Sequence, residues 1–349
     1  MVLVSVLDYG AGNVRSLLNA LAAVGGEVHL VTSAEEIGAA EVLIFPGVGS
    51  FGACMDVLRA KGWIDALRAY CRADRPFLGI CLGLQTLFES SDESPGVEGL
   101  GVLPANVGLF AGEGGRSVPQ IGWNTLRAEK PSALLAGLQP DDAVYFVHSF
   151  RAAVCEALAP WALTTTDYGE RYVSAVQRGN VAACQFHPEK SGRVGLAVLR
   201  NFLAGALSTT PATAPTPPAD AARPTRYCKR VIAALDVRAN DAGDLVVTKG
   251  DQYDVREKPA EEAAGAKGSV RNLGKPVALA KRYYEEGADE IALLNITGFR
   301  DLPLTDLPML ALIEEASKEI FVPLTVGGGI RGFTDSAGVT STALQVITN

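Results

Sequence analysis

Apolar residues along this chain come in short runs that alternate with longer stretches of helical spacing. Val2–Leu7 is a run of one strand's length with no polar alternation, the pattern of a strand buried on both faces. Val14–Val24 then repeats apolar positions three and four residues apart, which predicts a helix. Val42–Phe45 and Pro76–Ile80 are further buried strands ending in glycine-rich turns, and Leu82–Glu89 opens a helix. His29 falls in an early strand and reads as structural, while Val144–His148 and Val181–Phe186 are later strands. This alternation predicts an α/β layer fold with its chemistry at the C-terminal ends of strands. The pattern breaks at residues 207–225, a stretch dominated by Pro, Ala and Thr, which reads as a semi-rigid linker. It resumes with strands at Arg230–Val237, Glu290–Ile296 and Val322–Val326, and helices at Lys275–Glu286 and Pro308–Lys318. Strands, helices and a terminal Gly327-Gly328-Gly329 suggest a (β/α) barrel, with about three of its eight strands in view.

Length supports this division: 349 residues exceed one ordinary domain. The expected parts are a domain at 1–206, the linker at 207–225, and a second domain at 226–349. A net charge of −8 argues against broad binding to nucleic acid or an anionic membrane. Six cysteines without a Cys-x-x-Cys pair, and three histidines, predict neither a zinc cage nor a disulfide framework. No cofactor or metal is expected. No apolar run reaches the roughly 18 residues of a membrane span. No leader precedes the first strand, so a cytoplasmic location is expected.

Gly79-Ile80-Cys81-Leu82-Gly83 follows a strand and opens a helix, the setting of a nucleophile elbow. So tight a turn leaves no room for side chains two positions either side of the nucleophile. It also sets the Cys81 sulfur at a helix N-terminus, where free N–H groups favour a thiolate. Alone, the pentad equally suits a buried structural cysteine between packing glycines. His187-Pro188-Glu189 ends another strand, where His187 can take the thiol proton and Glu189 can orient the imidazole. Pro46-Gly47-Val48-Gly49 can approach a ligand with its backbone and could supply oxyanion N–H groups, or be a plain loop. Gly10-Ala11-Gly12 is not a dinucleotide fingerprint, because Arg15 stands where the third glycine is required.

Together these pieces resemble the class I glutamine amidotransferases, which have a flavodoxin-like open sheet. Asp8-Tyr9-Gly10-Ala11-Gly12-Asn13, Gln120-Ile121-Gly122-Trp123-Asn124 and Tyr145-Phe146-Val147-His148-Ser149 narrow the resemblance to the glutaminase half of the imidazole glycerol phosphate synthase family. Lys229–Val237, Val247–Asp251, Leu294–Thr297 and Pro323–Ile330 resemble the start of that family's cyclase barrel, which is fused to the glutaminase in eukaryotes. The resemblance implies that Cys81 attacks the glutamine amide, with His187 as acid–base and Glu189 behind it. It implies that Gln85 and Gly47, Val48 and Gly49 hold the substrate and the oxyanion. A glutaminase–cyclase interface within the chain would pass ammonia to PRFAR, the phosphoribulosyl intermediate of histidine biosynthesis. A lyase-type cyclisation there gives imidazole glycerol phosphate. Asp236 matches one of two catalytic aspartates and Lys249 a lysine of a mobile loop. Gly328 and Gly329 match part of a phosphate cradle, and Arg230 and Glu290 two members of a charged gate. The family is plastidial in plants.

The likeness fades after Arg331-Gly332, and Gly338–Asn349 reads as off-pattern. An incomplete barrel is therefore expected, with cyclase turnover by this chain alone absent. A stand-alone glutaminase and a non-catalytic binding remnant are the competing readings. Finally, the density of glycines around Val48 makes a peptide flip cheap, so a resting state with an N–H turned away from Cys81 is expected.

Overall fold

Four of the apolar runs, joined by one more strand, assemble side by side into one parallel layer. A computed structural model describes residues 2–10, 14–112, 115–206, 224–239, 245–248, 275–296, 307–328, 333–334 and 340–341. It divides into two units, Met1–Lys229 and Arg230–Asn349. In the first unit, β1 (Val2–Leu7), α1 (Val14–Ala23), β2 (Gly26–Val31), α2 (Ala34–Ala39) and β3 (Leu43–Gly47) follow one another. After them come α3 (Phe51–Ala60), α4 (Ile64–Arg72), β4 (Phe77–Cys81) and the single turn α5 (Leu82–Gln85). Next are β5 (Phe88–Ser91), β6 (Leu103–Leu109), β7 (Gln120–Thr125), β8 (Arg127–Ala128), β9 (Ala143–His148) and β10 (Phe150–Ala153). The unit continues with β11 (Ala162–Tyr168), β12 (Glu170–Arg178), β13 (Val181–Cys184) and α6 (Gly192–Ala206).

The main sheet runs β2-β1-β3-β4-β13-β12-β10-β6-β5. Its first five strands are parallel and have the flavodoxin-like order. From β13 to β6 the neighbours are antiparallel, and β7 and β9 form a separate antiparallel ribbon. Val4, Val6, Ile44, Phe45, Phe77 and Leu78 have essentially no exposed surface. Burial of both sheet faces explains why these strands read as unbroken apolar runs.

In the second unit, β14 (Ile232–Ala239), β15 (Leu245–Thr248), α7 (Pro276–Glu285), β16 (Glu290–Asn295), α8 (Leu307–Glu319) and β17 (Leu324–Gly327) form a sheet in the order β15-β14-β16-β17. β14, β16 and β17 are parallel, and β15 folds back antiparallel on β14.

Two expectations differ from the structure. The helix expected over Leu82–Glu89 stops at Gln85. Beyond it the Thr86, Leu87 and Phe88 carbonyls accept N–H groups from Leu100, Val102 and Gly101, and the chain pairs with β6, so tertiary hydrogen bonds override the local helical pattern. His29 does lie in an early strand, β2, where it is half exposed and sits 3.4 Å from Glu36. Residues 226–229, assigned to the second domain from composition, belong to the first unit. Most of the linker, residues 207–223, lies outside the described residues.

Candidate active site

Backbone crowding builds the elbow. Cys81 ends β4 with φ 54° and ψ −104°, a rare conformation for a residue with a side chain. A Cβ on Gly79 would meet the Gly83 carbonyl oxygen at 2.7 Å, and one on Gly83 would overlap the Phe45 carbonyl of β3. Both flanking positions therefore exclude any side chain. The helix that follows is one turn long, so the helix-terminus support expected for a thiolate is slight.

Charge comes instead from β13. His187, three residues beyond that strand, is 1% exposed, and its Nδ1 lies 2.8 Å from Glu189 Oε1. Its Nε2 is buried and has no hydrogen-bond partner among the described residues. Burial opposes a charge on this ring, but the Glu189 carboxylate and the Cys81 sulfur outweigh it and push its pKa up to about 10. Glu189 is itself buried; burial raises its pKa, yet the imidazolium wins and holds it low. At neutral pH the pair is imidazolium and carboxylate, and the positive ring lies beside the sulfur. The residues singled out as nucleophile, base and orienter thus come together from two adjacent strands.

The class-I glutamine amidotransferase family model matches residues 5–206, and the histidine biosynthesis protein model matches 230–349. This chain belongs to the class-I glutamine amidotransferases. The amidotransferase is 55% identical over 347 residues to the chloroplastic imidazole glycerol phosphate synthase hisHF of Arabidopsis thaliana, a match covering 98% of this chain and 56% of that one. It is 48% identical to imidazole glycerol phosphate synthase hisHF of Emericella nidulans, covering 98% of this chain and 62% of the relative. Its first unit is 47% identical to the synthase subunit HisH of Deinococcus radiodurans, covering 57% of this chain and 92% of that subunit. The chain thus spans 56–62% of the length of these two fused relatives. The histidine biosynthesis match runs through Gly338–Asn349, which corrects the reading of that stretch as off-pattern.

Around Cys81, His187 and Glu189 lie Gln85, which was expected at the site, and Gln185 and Ser191, which were not. Gln185 Nε2 lies 3.5 Å from Cys81 Sγ, and its Oε1 accepts from Gln85 Nε2 at 3.0 Å. Gln85 also donates to the Phe150 carbonyl at 3.2 Å. Gln85 therefore reaches the nucleophile through Gln185. Gln185 and His187 both lie beyond the end of β13, so no strand periodicity marked them as neighbours. Ser191 Oγ donates to the His187 carbonyl at 2.6 Å and accepts from Tyr145 N–H at 2.9 Å, while His187 N–H donates to the Tyr145 carbonyl at 2.9 Å. These bonds fix the backbone that carries the imidazole.

The Gly47–Gly49 loop leaves β3 beside the elbow, with Gly47 paired to Cys81 in the parallel register. Gly49 has φ 101°, and Ser50 caps α3 directly after it. Tyr9, at the end of β1, takes both polar groups of Val48: its hydroxyl accepts the Val48 N–H at 3.1 Å and donates to the Val48 carbonyl at 2.6 Å. The Val48 N–H is therefore occupied.

His148 is neutral and walled in by Phe110, Phe146 and Tyr172. Its Nδ1–H donates to the Phe150 carbonyl at 2.8 Å. Burial dominates, the Phe150 carbonyl works against it, the nearby His187 charge adds to it, and the ring's pKa falls to about 3. The folded value lies below the unfolded one, so this group's contribution to stability is complete above pH 6.5 and is lost as pH falls toward about 3. In acid titrations His148→Phe should flatten the loss of stability between pH 6 and 4 by ~2–4 kcal/mol. Phe150 keeps Gln85 as a donor in that variant.

In the second unit Asp236 is half-buried and lies in mid-strand, not at the strand end, because the β15 hairpin extends β14 to Ala239. Arg230 Nη1 lies 3.1 Å from Glu290 Oε1, joining an exposed guanidinium to a buried carboxylate. Burial raises the Glu290 pKa against the pull of Arg230. Gly328 has φ 91°, and a Cβ there would overlap the Asn295 carbonyl, so its backbone is packed against β16. Lys249 and Gly329 lie outside the described residues. Among the described residues no group of three metal-ligating side chains forms, and no helix is long and apolar enough to cross a membrane.

Proposed function

We propose that this amidotransferase hydrolyses glutamine at Cys81 and that the ammonia serves a cyclase of histidine biosynthesis built on the second unit. The carrying observation is the buried imidazole of His187, bonded to Glu189 on one nitrogen and open on the other beside the sulfur. The thiolate attacks the side-chain carbonyl carbon of glutamine, and the C–N bond breaks as His187 Nε2 gives its proton to the departing nitrogen. This leaves ammonia and a glutamyl thioester. Neutral His187 then takes a proton from water, whose oxygen attacks the thioester and releases glutamate. Gln85 and Gln185 fix the amide-binding side of the sulfur. The Gly47–Val48–Gly49 backbone faces the developing oxyanion once Val48 N–H leaves Tyr9.

In the second unit, Asp236 and Lys249 are assigned to cyclase chemistry on PRFAR, Gly328 and Gly329 to its phosphate, and Arg230 with Glu290 to ammonia entry. The names of the fused relatives support this assignment. The test of the glutaminase reading is covalent. A diazo-ketone analogue of glutamine should add one equivalent to Cys81, read by peptide mass, and glutamine should protect it. Labelling elsewhere, or none at all, overturns the reading.

Tyr9 carries its own prediction. Tyr9→Phe frees the Val48 N–H without opening a cavity. Basal glutamate release should rise ~10-fold or more, since one oxyanion donor is worth ~10²–10³ in rate. An unchanged or lower rate would mean that Val48 N–H is not an oxyanion donor.

A further inference from the structure

The Gln120–Asn124 motif has no part in the chemistry above, yet it organises a contact of its own. Residues Thr225–Cys228, which directly precede the second unit, run antiparallel along the free edge of β7. Thr125 N–H donates to the Arg226 carbonyl at 3.1 Å, and Cys228 N–H donates to the Trp123 carbonyl at 2.8 Å. Asn124 and Tyr227 form the bridge between these two bonds, and Arg226 N–H donates to Thr125 Oγ1 at 2.8 Å. Tyr227 lies over Gly122, where φ is 139° and a Cβ would stand 2.6 Å from the phenol oxygen; only a glycine admits that ring. Its hydroxyl donates to the Ile121 carbonyl at 2.5 Å, and its ring packs 5.5 Å from that of Tyr168.

Asp167 on β11 anchors the start of this segment. Its Oδ2 accepts the Thr225 N–H at 3.0 Å and the Arg127 guanidinium at 2.8 Å, and its own N–H donates to Thr225 Oγ1 at 2.5 Å. Burial raises the Asp167 pKa, but these donors and Arg171 overcome it and hold the carboxyl in its charged form.

The other edge of β7 carries β9, with Trp123 opposite Tyr145 and their rings 5.9 Å apart. The Tyr145 carbonyl takes the His187 N–H. Two backbones, β7 and β9, thus stand between Thr225–Cys228 and the imidazole. A two-stranded ribbon is marginally stable by itself, and a third strand is the usual remedy.

We propose that Thr225–Cys228 is a positioning strap for His187: by completing a three-stranded ribbon with β7 and β9, it holds the Tyr145 carbonyl that fixes the catalytic imidazole. This rests on the glutaminase reading. Thr225 and Tyr227 are its positioning residues, and neither touches the substrate. Displacing a catalytic group by a fraction of an ångström carries a cost in rate rather than in binding.

The experiment uses the full chain with Thr225→Val and Tyr227→Ala, separately and together, and Thr225→Ser as the conservative control. Two quantities are read: amide exchange at Tyr145 and His187, and the rate and pH profile of Cys81 alkylation by the diazo-ketone. The double variant should lose at least tenfold in His187 amide protection and about tenfold in alkylation rate, with the amides of β1, β3 and β4 unchanged. Its pH profile should also change shape, whereas Thr225→Ser alone should keep the parent's protection, rate and profile. Unchanged protection at His187 overturns the strap. Lost protection with an unchanged alkylation rate overturns its part in positioning the imidazole. If the parent chain is not alkylated at Cys81, the glutaminase reading fails, while exchange at His187 still decides whether the strap exists.

Discussion

Glu189→Gln should lower the glutamine turnover number by ~10²–10⁴ while leaving the Michaelis constant within a few-fold. An amide oxygen can still accept from His187 Nδ1–H, so the ring keeps its orientation. What disappears is a buried negative charge 2.8 Å from the imidazole. That charge, with Cys81, is what overcomes burial and keeps the ring's pKa at about 10. Without it burial prevails, the ring becomes neutral at pH 7, and the thiolate loses its counter-ion. Alkylation of Cys81 should then slow at pH 7 and depart from the parent's pH profile. A variant that keeps the parent profile would show that Glu189 only orients the ring. The sign also bears on stability. Because the folded-state pKa of His187 lies above its unfolded value, its contribution is full below pH 6.5 and fades as pH rises toward about 10; Glu189→Gln should remove this alkaline dependence.

Gly83→Ala should be severely damaging to the first unit. The added carbon overlaps the Phe45 carbonyl, and both partners are main chain in a layer without slack. Relief requires β3 and β4 to separate, at a cost of ~4 kcal/mol or more. The variant should be recovered in inclusion bodies or unfold at markedly lower urea concentration than the parent. Gly38→Ala is the matched comparison: Gly38 lies in α2, and a Cβ there meets nothing within 4 Å. It should leave stability unchanged or raise it by ~0.5–1 kcal/mol. Equal behaviour of the two variants would remove the case for a crowded elbow.

Short-range sequence signals located the elbow because its glycines sit at a fixed spacing around Cys81, although the group that excludes a side chain at Gly83 is Phe45 on β3. Gly79 and Gly83 are two residues either side of Cys81, and that spacing is itself the signal. His187 and Glu189 were equally legible, being two residues apart at the end of a buried run. Other features depended on partners far away in sequence. The helix from Leu82 ends early because Leu100–Val102 claims its carbonyls. Asp236 is in mid-strand because a hairpin 12 residues on extends β14. Tyr9 meets Val48 across 39 residues, and Gln85 meets Gln185 across 100; no periodicity announces such pairs. The four residues after the Pro-rich stretch gave no sign of joining the first unit, since their backbone hydrogen bonds, not their composition, place them there.

The burial of the sulfur nucleophile has a practical corollary for spectroscopy. Cys54, Cys71, Cys81 and Cys184 are all shielded from solvent, whereas Cys155 is exposed. A bulky maleimide dye should therefore react first at Cys155 and leave the elbow untouched. With the half-buried Cys228 replaced by serine, that gives a reporter handle orthogonal to the small diazo-ketone, so one sample can carry a fluorophore at Cys155 and a tag at Cys81.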